Sequence, residues 1–289
     1  MKNLSLLQRV NSTDIQQFPF PHIILENALP EELHSELRES FPSPRELGVD
    51  PSQDNVRWST KARDLSQLSA VSELWKLFIN YHSSHQFWDD VVRVFGEAIC
   101  SKYPDHFPSL QELSRLGVQV RNLDSANREI LELDAQVSGN TPAITPGVPR
   151  GVHVDAPNAL YAGLYYLRHS DDRSDGGDLQ LWQWRDNYSY QKKSYFYKEG
   201  VEARHIRLLN TVNYRSNTLV FIINSLDSLH SVTERKPTTS TRQFVNLVCD
   251  TPGPLFDLEP YMHQRVLKFA KRKLHQSRLA NLFSTPTQR

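Results

Sequence analysis

The chain has 289 residues, 33 basic and 33 acidic side chains, and 38% hydrophobic residues, the make-up of a globular protein large enough to bury a sizeable core. Residues 1–17 carry scattered polar groups and no unbroken apolar run, which argues against a secretory signal or a membrane span and predicts a cytoplasmic protein. Cys100 and Cys249 are the two cysteines, too few for a disulfide-stapled scaffold or a thiolate zinc site.

In chain order, a short strand is predicted over residues 20–25, then a helix from Pro30 through Leu37 to a stop at Phe41-Pro42. Residues 43–66, with Pro51, many charges and few apolar positions, read as a long surface loop. Between 71 and 103, Leu74, Phe78, Phe87, Val91, Val94, Phe95 and Ile99 recur at helical spacing, with His82-Ser83-Ser84 as a joint between two helices. From Leu116 the pattern changes to strands over 118–121, 130–137, 160–167, 179–184, 202–212, 218–224 and 244–248. No helical crossovers intervene, so a sandwich or jelly roll is expected rather than a parallel sheet.

The neutral total charge hides a basic tail: residues 261–283 hold Arg265, Lys268, Lys271, Arg272, Lys273 and Arg278 and no acid. Val266, Leu267, Phe269, Ala270 and Leu274 fall on one side of a helical wheel and Arg265, Lys268, Lys271 and Arg272 on the other. The simpler reading is a helix packed on its own domain with a solvated basic face. The alternative is peripheral contact with an anionic membrane surface, at the inner face of the membrane. One helix with six basic residues is modest electrostatics for a nucleic-acid partner, and none is expected.

The residue types that carry chemistry are His153 and Asp155, then His230, then Arg242. Residues at i and i+2 of a strand point to one face, so His153 and Asp155 can aim together into a jelly roll. His230 follows the apolar run 219–223 and a turn, within reach of the same metal. Two histidines and one carboxylate on one face of an octahedral metal leave open positions, the arrangement of non-haem Fe(II) oxygenases. Arg242 on the last core strand offers a fork for a carboxylate. An H-x-D in a chain with eleven histidines is often accidental; the coincidence of all four residues with predicted strands raises its weight. Ser225, Asp227, Ser228 and His230 have the residue types of a hydrolase triad but crowd one turn and lack a G-x-S-x-G elbow.

The stretch His153-Val154-Asp155-Ala156-Pro157-Asn158, then Gly163-Leu164-Tyr165-Tyr166-Leu167, Gly176-Gly177-Asp178-Leu179, His230 and Arg242 resembles the 2-oxoglutarate and Fe(II)-dependent oxygenases, in wording nearest to the prolyl-hydroxylase branch. The resemblance covers residues 116–248. It implies an α+β fold: a double-stranded β-helix, jelly-roll or cupin-like, with N-terminal helices packed on it and a C-terminal basic helix. The corresponding division is 1–115 as a helical or mixed support region, 116–250 as the oxygenase core and 251–289 as the basic amphipathic helix.

Carried over by resemblance, His153, Asp155 and His230 hold Fe(II) as the catalytic metal set, Arg242 pairs with the distal carboxylate of 2-oxoglutarate, and Tyr166 hydrogen-bonds that carboxylate. Arg242 follows His230 at a slightly longer interval than the family usually shows, and Arg235 is the fallback. O2 is the co-reactant, with ascorbate as an accessory reductant. An intact Asp155 implies hydroxylation, because halogenating members replace this carboxylate by a small residue. The substrate pocket is expected at the mouth of the roll, bounded by 121–128, 137–150 and 182–193, with Asn140, Arg150, Asn158, Trp184, Arg185 and Tyr188 offering polar and aromatic groups. That mixture suits a small molecule or glycan. The expected substrate is a lipid-linked or lipopolysaccharide glycan such as the sugar Kdo; prolyl or aspartyl side chains and free amino acids are the rivals. A non-catalytic cupin-like binding module is the reading of another class.

Overall fold

The computed structural model describes residues 4–121, 130–185, 201 and 203–256. The basic tail at 261–283, Tyr188 and most of the 182–193 segment lie outside the described residues. Among those described, no helix is long and apolar enough to cross a membrane.

The N-terminal part runs β1 (His22–Glu26), α1 (Glu31–Glu39), β2 (Arg57–Thr60), α2 (Ala62–Leu65), α3 (Glu73–His82), α4 (His85–Lys102) and α5 (Leu110–Ser114). The strands β3 (Val118–Val120), β4 (Leu131–Asn140), β5 (Ala159–Tyr166), β6 (Leu179–Trp184), β7 (Ile206–Val212), β8 (Thr218–Ile223), β9 (His230–Val232) and β10 (Arg242–Asp250) follow. The two-helix reading of 71–103 is correct: the break falls at Ser83-Ser84, and the Ser72 side chain caps α3 by accepting from the Trp75 amide.

The segment 43–66 is not a continuous loop, since it contains β2 and α2. Four residues with one buried side chain, Trp58, are too short to show a period; β2 exists because the free edge of β4 pairs with it, Arg57 opposite Asn140 and Thr60 opposite Val137. The strand expected over 202–212 begins only at Ile206, after a 3₁₀ turn at 203–205.

The larger sheet has the order β1-β8-β5-β10-β4-β2, antiparallel throughout, with β3 added parallel to β4. The smaller sheet is β7-β6-β9. Isolated bridges pair Ala143 with Thr238, Gly147 with Arg235 and His153 with His230, so residues 143–153 run antiparallel beside 230–238 as an irregular fourth strand. Pro142, Pro146 and Pro149 explain its irregularity, because proline has no N–H to give to a ladder. From β4 to β10 the chain therefore winds between the two sheets, which is the jelly-roll path.

Side-chain alternation builds two layers of core. On one face of the larger sheet, Leu133, Ala135, Val137, Tyr165, Leu219, Phe221, Val245 and Leu247 pack with Trp75, Phe78, Phe87, Trp88, Val91 and Phe95 of α3 and α4. Phe95 stacks on Phe221 with centroids 4.9 Å apart. On the other face Tyr166, Val220, Ile222 and Phe244 meet Leu179, Leu181 and Val212 of the smaller sheet. The residues that can serve a site lie between the sheets, beyond this second, smaller core.

Candidate metal and carboxylate site

His153 and His230 are neighbours because their backbones pair: each amide donates to the other's carbonyl at 3.0 Å. Their rings sit with centroids 4.3 Å apart. Val154, between the two expected ligands, turns the opposite way into a small apolar cluster with Ile206 and Leu229, leaving His153 and Asp155 on one side.

The tautomers are set locally. Nδ1 of His153 donates to the Gly151 carbonyl at 2.8 Å, and Nδ1 of His230 to the Ser228 carbonyl at 2.9 Å. Both Nε2 lone pairs are then free to act as ligands, and backbone carbonyls hold each ring in place. Asp155 offers one oxygen 3.8 Å from Nε2 of His153 and the other 3.8 Å from Nε2 of His230. These separations are too long for hydrogen bonds. The three donors converge, within 4.8 Å of one another, without satisfying each other.

Burial, then the neighbouring His230, pushes His153 down to about 3, which keeps it neutral and ligand-competent at physiological pH. Burial works against ionisation of Asp155, but His230, His153, Arg57 and Arg150 outweigh it and hold the carboxylate below its usual range. Neutral imidazoles and an ionised carboxylate are the protonation states a divalent metal needs. Among the described residues this is the only His/Cys/Asp/Glu group with such convergence, and its nitrogen and oxygen donors fit a first-row divalent ion such as Fe(II).

A cavity of about 230 Å³ opens beside these residues, and Arg242 is in its wall. Arg242 is 3% exposed. Its Nε donates to the Gly177 carbonyl at 2.9 Å and its Nη2 to the Tyr166 hydroxyl at 3.3 Å. The guanidinium carbon lies 4.8 to 5.1 Å from the ring centres of Phe244, Tyr166 and Tyr214. Gly177 reaches this position with φ +82°, and the preceding Gly176, at φ +79°, has the Glu234 carbonyl where a Cβ would stand. Among the described residues no carboxylate pairs with Arg242, and Nη1 makes no hydrogen bond. A buried guanidinium without a counter-charge is costly unless a ligand supplies one, so the donor set fits a carboxylate.

Arg235 occupies a different position. It is 1% exposed and donates to Asn55 Oδ1, the Thr141 carbonyl and the Ser240 carbonyl at 2.8 to 2.9 Å, which ties the irregular strand to its neighbours. Its hydrogen bonds are used internally, and it does not line the cavity.

Of the residues expected to meet substrate, Asn140 and Arg150 line the cavity. Asn158, Trp184 and Arg185 do not. The Asn158 carbonyl accepts from the Thr251 amide and hydroxyl, the Trp184 indole donates to the Leu226 carbonyl at 3.0 Å, and Arg185 Nε donates to the Ile206 carbonyl at 3.0 Å. Sequence reasoning missed Arg57 and Tyr214. Arg57 sits at the cavity wall at the start of β2, and Tyr214 supplies a ring to Arg242 and accepts from the Gln243 amide at 2.7 Å. Only the cross-strand register could have revealed Arg57.

A scan against protein-family models finds no match, and a search of curated proteins finds none either. Among solved structures, the chain is similar to a prolyl 4-hydroxylase from Phytophthora capsici, 15% identical, with a TM-score of 0.48; the match covers 87% of this chain and 66% of that one, just under two thirds. A prolyl-4-hydroxylase from Pseudomonas putida is 15% identical, covered over 80% of this chain and 93% of its own, with a TM-score of 0.37. A dioxygenase for auxin oxidation from rice is 14% identical over 86% of this chain and 85% of its own, with a TM-score of 0.39.

Proposed function

We propose that the protein is a 2-oxoglutarate and Fe(II)-dependent dioxygenase that hydroxylates an unactivated C–H bond. The observation that carries this reading is the pairing, in one cavity, of a His-Asp-His donor set with a buried arginine that has no counter-charge among the described residues. His153, Asp155 and His230 would hold the metal. Arg242 would take the distal carboxylate of the cosubstrate, with Tyr166 donating a hydrogen bond to the same group. Bound there, Fe(II) supplies activation of O2, coupled to conversion of 2-oxoglutarate to succinate and CO2, with the second oxygen atom entering the substrate as hydroxyl.

The protein's own contribution is positioning and exclusion of water. The Gly151 and Ser228 carbonyls fix the two imidazoles. The Phe244, Tyr166 and Tyr214 rings surround the Arg242 guanidinium and lower the local dielectric, so a carboxylate arriving there gains more than it would in water. Asp155, kept ionised by the surrounding cations, leaves the metal with a carboxylate ligand and favours hydroxylation over halide transfer. For substrate, Asn140 and Arg150 in the cavity wall support a glycan such as the Kdo sugar, with prolyl or aspartyl side chains of proteins as the rival.

Anaerobic addition of Fe(II) and 2-oxoglutarate tests the assignment. A weak visible charge-transfer band is expected in the native protein and is expected to be absent in His153→Ala. No band at saturating iron and 2-oxoglutarate would sink it.

A further inference from the structure

The cavity carries more positive charge than a metal and a dicarboxylate can use. Four arginines line it, Arg57, Arg121, Arg150 and Arg242, against two acids, Asp155 and Asp250. Arg121 is taken up by Asp250, Nη2 to Oδ2 at 2.6 Å. Arg57, Arg150 and Arg242 then face Asp155 alone, and none of the three forms an ion pair within 4.0 Å among the described residues. Loading with a divalent ion and a dicarboxylate adds two charges of each sign, so the excess of two positive charges persists.

The excess has a place. Register puts Arg57 opposite Asn140 on β4, and Asn140 opposite Arg242 on β10, so the three side chains form one row across the cavity wall. The middle member is also unsatisfied: Asn140 is 1% exposed and its Nδ2 is buried without a hydrogen-bond partner. Arg57 rests on the Phe244 ring, 5.7 Å from its centre, which orients the guanidinium without consuming its donors. Arg150 enters from the irregular proline-containing strand, whose carbonyl at Arg150 accepts from the Val232 amide at 3.0 Å. Arg57 and Arg150 each interact electrostatically with Asp155, so they lie in the field of the reacting centre. Arg57 and Arg150 keep solvent access at the cavity mouth, so their donors stay available to an incoming anion, while the buried Asn140 amide beside them lacks a partner.

We propose that Arg57 and Arg150, with the Asn140 amide between Arg57 and Arg242, form a second anion subsite that binds a carboxylate or phosphate on the substrate, distinct from the subsite of Arg242. The substrate of the dioxygenase is therefore an acid. This inference rests on the proposed assignment of Arg242 to 2-oxoglutarate, and its test keeps the two apart.

Protein loaded anaerobically with Mn(II) and 2-oxoglutarate is titrated calorimetrically with methylphosphonate and, separately, with acetate; Mn(II) occupancy is read from the loss of the free-ion spin-resonance signal. Saturable binding of at least one probe is expected, weakened about tenfold in Arg57→Gln and in Arg150→Gln, the loss of one charge-assisted partner. Arg57→Lys should recover part of the affinity. The stronger probe tells phosphate from carboxylate. Binding of neither probe to the loaded protein, even where one binds once 2-oxoglutarate is left out, or binding indifferent to Arg57→Gln in a variant that melts like the native protein, would each overturn the proposal. If Mn(II) and 2-oxoglutarate fail to bind, the oxygenase reading falls instead. The same titration of the metal-free protein then decides the anion subsite by its dependence on Arg57.

Discussion

The two faces of β10 have opposite chemistry. Val245, Leu247 and Cys249 point toward the helices and are fully buried among apolar side chains. Arg242, Phe244, Asn246, Val248 and Asp250 point into the cavity. The helix-side face is closed and self-sufficient, because each side chain there is satisfied by its neighbours. The cavity face ends in the Arg242 guanidinium, which pairs with no carboxylate among the described residues, and it shares its cavity with the His153, Asp155 and His230 donors. One strand thus carries stability on one side and binding on the other, and changes to the two sides should separate cleanly.

Arg242→Ala should give the largest effect. Removing a guanidinium that pairs with a buried carboxylate costs about 3–5 kcal/mol, a loss of at least a hundredfold in 2-oxoglutarate affinity, readable from titration of the charge-transfer band. Fe(II) affinity should change little, since Arg242 touches none of the three metal donors. The melting temperature of the metal-free variant should fall only modestly, because the Gly177 carbonyl and the Tyr166 hydroxyl lose a donor but no buried carboxylate is orphaned. A large loss of stability with unchanged 2-oxoglutarate affinity would erase the distinction between the faces.

Leu247→Ala is the reciprocal change. It leaves a cavity in the core shared by the larger sheet and the helices and should destabilise the fold by about 2–5 kcal/mol, seen as a lower denaturation midpoint. The protein that remains folded should bind Fe(II) and 2-oxoglutarate as before.

This division between faces also explains how much could be read in the sequence. Alternating burial as in β6, or an unbroken apolar run as in β8, marks a strand in the sequence, so seven of the core strands were expected within a few residues of their positions. His153 and Asp155 share a face by the i, i+2 rule, which needs no tertiary knowledge. Arg57 was out of reach: its place beside Asn140 and Arg242 depends on which edge β2 joins and in what register, and a sequence shows neither. The irregular strand at 143–153 was read as loop because its prolines erase the ladder pattern while His153 still bridges to His230. Asn158, Trp184 and Arg185 were expected to face substrate at the mouth of the roll; they do not line the cavity, and hydrogen bonds tie them to Thr251, Leu226 and Ile206.

The helix-side face has its own dependence on pH. His82 is 1% exposed, donates from Nδ1 to the Phe78 carbonyl at 2.8 Å and accepts the Leu6 amide on Nε2 at 3.2 Å. Both nitrogens are used by the neutral ring, and burial pushes it down to about 4. The unfolded chain takes up the proton near pH 6.5 while the folded protein resists it. Its stabilising contribution is therefore present above pH 6.5 and is lost as pH falls toward 4, by about 3 kcal/mol at most. His82→Gln should melt lower at neutral pH but lose less between pH 7 and 4.5. An equal fall in both proteins would assign the acid sensitivity to other groups.

Tyr166 gives the smallest and most discriminating effect, because it meets Arg242 in two ways. Its hydroxyl accepts from Nη2 at 3.3 Å, a long hydrogen bond, and its ring lies 5.1 Å from the guanidinium carbon. Tyr166→Phe removes the first and keeps the second. A hydrogen bond of this kind is worth about 0.5–1.5 kcal/mol, so 2-oxoglutarate affinity should fall severalfold with stability nearly unchanged. Tyr166→Leu removes both contacts and opens space in the smaller core, so affinity and denaturation midpoint should fall together. If Tyr166→Phe binds 2-oxoglutarate as the native protein does while Tyr166→Leu does not, the ring alone orients Arg242, and the hydroxyl does not reach the cosubstrate carboxylate.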